Sequence, residues 1–130
     1  MADILKTVSN PLGTLIFKET TANATLIANV FAKTAPKLIS VKLDNSVNTT
    51  ESVHLKLYEN TAVDGQGVTV GTTVPVFILK CPASSTVEMY IPQGLTFTSS
   101  NYAHMAVTTE NGIAGTTAPT GTVQVTLIGS

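Results

Sequence analysis

The side chains of this chain that could do acid–base or nucleophilic work are few. His104 and Glu110 stand close together in "NYAHMAVTTENGIAGTTAPTGTVQVTLI", residues 101–128. A general base needs hydrogen-bond reach to its target and a partner that orients it, and no nucleophile accompanies this pair. His104 alternates with Ala103 and Met105, which puts it on the wet face of a strand, and Glu110 falls past the strand end in a turn. His54 repeats the pattern between Val53 and Leu55. Two histidines are too few for a closed zinc site, so both read as exposed strand residues and no metal is expected. The eight carboxylates, Asp3, Glu19, Asp44, Glu51, Glu59, Asp64, Glu88 and Glu110, are scattered and form no D-x-D-x-D calcium loop. A glycosidase pair requires only two carboxylates brought together in space, and nothing local points to one. Cys81, in "FILKCPAS", reads as a small buried hydrophobe, with Lys80 on the opposite face. Gly65, Gly67 and Gly71 in "DGQGVTVG" depart from G-x-G-x-x-G, and no helix follows to hold a phosphate. No catalytic, cofactor or metal residue is assigned, and the chain is not read as an enzyme.

Those residues must hang on strands. Period-two alternation dominates. "PKLISVKLD" groups Ile39, Val41 and Leu43, and "VHLKLYE" groups Val53, Leu55 and Leu57, with His54, Lys56 and Tyr58 outward. "TVEMYI" groups Val87, Met89 and Ile91, leaving Glu88 and Tyr90 outward, and "TVQVTLI" groups Val123, Val125 and Leu127. "VPVFILKC" turns Phe77, Leu79 and Cys81 inward. "TLIFKET" and "ATLIANVF" are mostly apolar and read as strands covered on both sides or meeting a partner. A helix over "TANATLIANVFAK" ranks second, because β-branched residues favour strands. Turn signals such as "NPLG", "DGQG", "CPASS", "IPQG" and "ENGIAG" separate the runs. The expectation is an all-β, antiparallel two-sheet β-sandwich of about eight or nine strands, because each half-dry sheet must bury its apolar face. Jelly-roll and immunoglobulin-like connectivities both fit.

Length and composition bound the rest. With 130 residues the chain suits one domain, here 14–130. Residues 1–13 are a separate N-terminal arm or an edge strand; Ile4, Leu5, Val8 and Leu12 are the candidate interface residues if the arm lies on a neighbouring subunit. "MADILKTVSN" lacks a secretory apolar region, and no apolar run approaches the ~18 residues of a membrane span. The single cysteine forms no internal disulfide, which fits synthesis in a reducing cytoplasm. The sequons at Asn23 and Asn48 are therefore read as chance. Charged residues make up 12% of the chain, against about 25% in ordinary domains. All seven cations are lysines, so a nucleic-acid partner is not expected. The 22 threonines supply much of the polar surface.

One resemblance emerges from the order of segments. A strand ending in Leu57-Tyr58 leads to a loop with threonine-x-proline and a short apolar strand, Thr73 to Leu79. "IPQGLTF" follows at Ile91 to Phe97, then an alanine-containing strand closing in "VTT", Ala103 to Thr109, a glycine-threonine loop and a final alternating strand. This order, over roughly the last 80 residues, resembles small β-sandwich structural proteins of tailed-bacteriophage virions. The resemblance implies a capsid decoration (cement) protein, made in the host cytoplasm and carried on the outer capsid surface. Its implied partners are the major capsid protein and copies of itself, as a trimer or dimer; no cofactor, nucleic acid or membrane is implied. Residues 1–35 match no named pattern, so a head-fibre base or a tail or baseplate adaptor stays open. A carbohydrate-binding β-sandwich module is the reading of a different class, resting on outward Tyr58 and Tyr90.

Overall fold

The structure, a computed structural model, describes residues 13–130. The candidate interface residues Ile4, Leu5, Val8 and Leu12 lie outside the described residues. Seven strands form: β1 (Leu15–Ala22), β2 (Lys37–Asp44), β3 (Val53–Asn60), β4 (Phe77–Cys81), β5 (Thr86–Thr96), β6 (Tyr102–Thr108) and β7 (Val123–Gly129). They make one four-stranded sheet, ordered β1-β7-β2-β5, and one three-stranded sheet, ordered β4-β3-β6. Every pairing is antiparallel. The described residues contain no helix.

Seven strands, rather than eight or nine, result because "ATLIANVF" does not extend. Asn29, Ala32 and Ala35 take φ of 52°, 56° and 48°, left-handed values that break a strand. Segment 23–36 nevertheless lies along β6. Ile27 and Met105 exchange backbone bonds of 2.8 and 2.9 Å, Val30 N–H donates to the Ala103 carbonyl at 2.9 Å, and Val107 N–H donates to the Asn23 carbonyl at 2.8 Å. An irregular segment thus satisfies backbone groups that a free sheet edge would leave to solvent.

The two sheets share one apolar core. Val41, Leu43, Val125 and Leu127 come from the four-stranded sheet; Leu55, Leu57, Met105 and Val107 face them from the three-stranded sheet. Removing such side chains from water stabilises the fold by roughly 1.5–3 kcal/mol each. The alternation in β3, β4, β6 and β7 sends its apolar sets inward as expected, with Phe77, Leu79 and Cys81 all packed in the core cluster. β2 departs from expectation. Leu38 pairs with Gly129 and Ser40 with Ile128, so Ile39 is an extra residue on β2, and a bulge reverses the faces at that point. Leu38 is fully buried and Ile39 is only half-buried, outside the core cluster. Gly129 is required beside it: a Cβ there would sit 2.4 Å from the Lys37 carbonyl oxygen and 3.0 Å from the Phe31 ring.

Asn45, fully buried just past β2, ties the sheets together at one end. Its amide donates to the carbonyls of Glu51 at 2.9 Å and Pro82 at 3.1 Å, and its Oδ1 accepts from Asn48 Nδ2 at 2.7 Å. Asn48 is itself buried and accepts from Gly121 N–H at 2.6 Å. Replacing Asn45 by Ala strands several buried polar groups, each costing about 1–3 kcal/mol. Urea unfolding of Asn45→Ala is therefore expected to show a lower midpoint with an unchanged slope. Leu55→Ala, in the central strand β3, is expected to lose about 3 kcal/mol in the same measurement.

Candidate functional site

The chemically capable residues gather on the outer face of the three-stranded sheet. Because Val53, Leu55 and Leu57 turn to the core, His54, Lys56 and Tyr58 must point the other way. The β3–β6 register sets His54 opposite Thr108, Lys56 opposite Ala106 and Tyr58 opposite His104. The alternation was read correctly, but the face is not wet. Lys56, Tyr58 and His104 are fully buried and His54 is 5% exposed. The expectation of two exposed strand histidines is corrected, as is that of an outward, accessible Tyr58.

The physical reason is a second cover. Loops 61–76 and 109–122 fold back over this face, and segment 23–36 closes its side. Lys56 Nζ donates to the Gly115 carbonyl at 3.3 Å. The Asn29 backbone N–H donates to His104 Nδ1 at 3.0 Å. A Cβ on Gly65 would lie 3.6 Å from that same Nδ1 and 2.7 Å from Leu26, and a Cβ on Gly71 would strike Thr116 at 2.4 Å. Gly65 and Gly71 carry φ of 78° and 94°; glycine meets both demands, close approach and a left-handed backbone.

This enclosed layer is poorly satisfied. Among the described residues, His54 Nδ1, Tyr58 Oη, His104 Nε2 and Asn29 Oδ1 find no well-formed hydrogen bond, although the Asn60 and Ala62 carbonyls lie beside the His104 ring and buried polar groups normally find a partner. Burial holds both imidazoles below the ordinary histidine value, and for His54 the neighbouring Lys80 and Lys56 push the same way. Burial also lowers the Lys56 ammonium, against the pull of Glu110, and raises the Tyr58 phenol. The layer therefore favours neutral side chains.

Glu110, at the root of the 109–122 loop, acts as a clasp. Its carboxylate accepts from Thr117 Oγ1 and, at 2.9 Å, from Thr117 N–H. Those bonds hold its carboxyl below the usual value. The device recurs. Glu51 accepts from Thr120 N–H at 2.5 Å, Glu59 from Thr98 N–H at 2.7 Å and Oγ1 at 2.8 Å, and Glu19 from Thr21 N–H at 3.1 Å. Four carboxylates thus fasten backbone and threonine hydroxyls. Glu19–Thr21 was within reach of sequence reasoning as a local pairing two residues apart. The Glu51–Thr120 and Glu59–Thr98 clasps join distant segments and carried no signal.

His104 and Glu110 are not brought together as a catalytic pair. His104 lies under the 61–76 loop, whereas Glu110 bears on His54 and Lys56. Cys81 is buried, its Sγ donating to the Leu43 carbonyl at 3.4 Å, and burial pushes its thiol up. Two shallow grooves of about 210 and 190 Å³ flank Thr120-Gly121; one is edged by Asn48 and Glu51, the other by Thr21 and Pro119. Both are below the ~300 Å³ of common small-molecule sites. Among the described residues, no three of His, Cys, Asp or Glu are grouped to hold a metal. Comparison of the chain with family models, curated proteins and solved structures yields no match.

The buried layer sets a pH dependence. An imidazole whose folded pKa is depressed contributes stability that is present above its unfolded value, about 6.5. That stability is lost as pH falls through this value toward the folded pKa. Urea midpoints are expected to fall between pH 7.5 and 5, before ordinary carboxylates titrate. Lys56→Met removes a buried ammonium that has one long hydrogen bond, and is expected to raise stability at pH 7 by about 1–2 kcal/mol. The same substitution is expected to abolish the gain in stability that the parent chain shows as pH climbs toward 10.

Proposed function

We propose that this chain is a non-enzymatic virion structural protein, a capsid decoration (cement) protein that binds the outer shell and ties major capsid subunits together. The observation that carries this reading is an uncovered apolar strip. Val74, Val76 and Ile78 alternate along β4 and the segment leading into it, exposed by 66%, 42% and 37%. Val63 and Ile113, from the two covering loops, are also exposed. Among the described residues, three of the eight exposed large apolar side chains thus line this one strand and its lead-in, where a monomer would normally scatter them singly. β4 is an edge strand, which offers free backbone groups as well as side chains.

The connectivity supports the same reading. The order β1-β7-β2-β5 over β4-β3-β6 matches a jelly roll in which segment 23–36, beside β6, stands where an eighth strand would run. Jelly rolls are common in viral capsid and lectin domains. The resemblance of residues 53–130 to virion β-sandwich proteins points in the same direction. A low-charge, threonine-rich surface repels its neighbours weakly, and several modest contacts made at once multiply affinity. A trimer or dimer over a local symmetry axis is the assembly that suits a shell.

The lectin-like alternative loses ground, because Tyr58 is buried and Tyr90, 55% exposed, has no second exposed tyrosine or tryptophan beside it on β5. The choice between cement and a tail or head-fibre part rests on copy number. Cryo-electron microscopy of the particle is expected to show hundreds of copies on the outer shell; a dozen or fewer on the tail axis refutes the cement assignment. Val76→Asp is expected to lose shell binding while unfolding stability changes by about 0.5 kcal/mol or less. Deleting residues 1–12 is expected to weaken attachment with the isolated fold intact, as measured by co-sedimentation with shells and by thermal unfolding.

A further inference from the structure

The 109–122 loop covers a surface that water could wet. Beneath it lie His54, Lys56 and Thr108, with the small side chain of Ala106 the one apolar member of that row. No residue of 109–122 belongs to the apolar core cluster. The loop is attached to the rest of the chain by polar bonds. Lys56 Nζ donates to the Gly115 carbonyl and Thr108 Oγ1 to the Glu110 carbonyl; the Thr120 N–H and hydroxyl donate to Glu51, and Gly121 donates its N–H to Asn48 Oδ1 and accepts from Asn48 Nδ2. Its other bonds, Thr109 N–H to the Thr117 carbonyl and the Glu110–Thr117 clasp, are internal. Lifting it exposes little apolar area and exchanges a few hydrogen bonds for water. Segments of that kind open at low free energy.

We propose that the 109–122 loop is an acid-released strap: a proton taken up at His54 lifts it from β3 and β6 while the two-sheet core stays folded. His54 lies on β3 with the Thr109 carbonyl beside its ring, and its Nδ1 has no acceptor under the closed strap. A proton added at Nδ1 therefore meets no acceptor among the described residues, although the Thr109 carbonyl beside the ring favours the charged form. The charged groups facing it are Lys56 on its own strand, Lys80 on β4 and Glu110 on the strap. Two cations oppose one carboxylate, and burial adds to the cost of the imidazolium. His104, on β6, plays a different part. Its Nδ1 is already occupied by the Asn29 N–H, and its charged neighbour is Asp64 on the 61–76 loop. Its protonation would disturb that loop and segment 23–36, not the strap.

Amide hydrogen exchange of the full chain, corrected for intrinsic rates and run from pH 7.5 to 5, tests this. Protection at Thr109, Thr117, Thr120 and Gly121 is expected to fall as the pH drops below the ordinary histidine range. The slope approaches tenfold per pH unit for one proton, while amides of β2 and β7 hold their protection. His54→Gln is expected to remove the dependence. Should that variant fold poorly, the parent chain still decides. It has two histidines, so the His54 ring can be titrated by NMR, and its midpoint is expected to coincide with the loss of strap protection. Joint loss of strap and core protection, pH-independent strap protection, an unchanged slope in folded His54→Gln, or a His54 midpoint apart from the transition each overturn the proposal.

Discussion

The structure depends on covering both faces of a sheet whose sequence prepares only one of them. β3 and β6 are buried on their apolar side by the opposing sheet and on their polar side by loops. Hairpin loops usually need only about 2–5 residues. The β3–β4 hairpin loop at 61–76 is far longer, and together with the sheet-to-sheet connection at 109–122 it forms a layer of its own. Among the described residues, three layers stack at the three-stranded sheet, which is the middle layer, polar on one face and apolar on the other.

That third layer is held by a chemistry suited to the composition. With few charges and no arginine, the chain uses its carboxylates as acceptors for backbone N–H groups and threonine hydroxyls. A charge-assisted hydrogen bond of this kind is stronger than a neutral one, and it does not require a long cationic side chain to be ordered. The threonines, which looked like neutral surface filler, are half of each clasp. Loops so fastened can close over the sheet without packing into the apolar core.

Much of the fold was legible from alternation alone. Period-two runs located β2, β3, β5, β6 and β7, and they named the inward residues of β3, β6 and β7, because a strand leaves its side chains no other choice than two faces. Alternation could not say what lies beyond the outer face. His54, Lys56, Tyr58 and His104 have the composition of a solvated surface, and their burial is decided by loops whose return path is a tertiary matter. Ile39 was misplaced for a related reason: one bulged residue reverses the faces, and nothing local in "KLISVKLD" announces it. "ATLIANVF" failed as a strand through left-handed backbone at Asn29, and Ala32 and Ala35 just beyond it are left-handed too, which composition gave no reason to suspect of the alanines. The scattered carboxylates gave no hint of their clasping role, since their partners are as many as 69 positions away.

The irregular segment lying along β6 has a consequence for how copies can meet. It seals one margin of the three-stranded sheet, so strand addition there is confined to β4. Two copies joining through that margin would use the same edge, related by a twofold axis, and the pair would leave no further β4 to continue the ladder. A ladder grown through β4 alone would stop at two copies rather than propagate as a fibre.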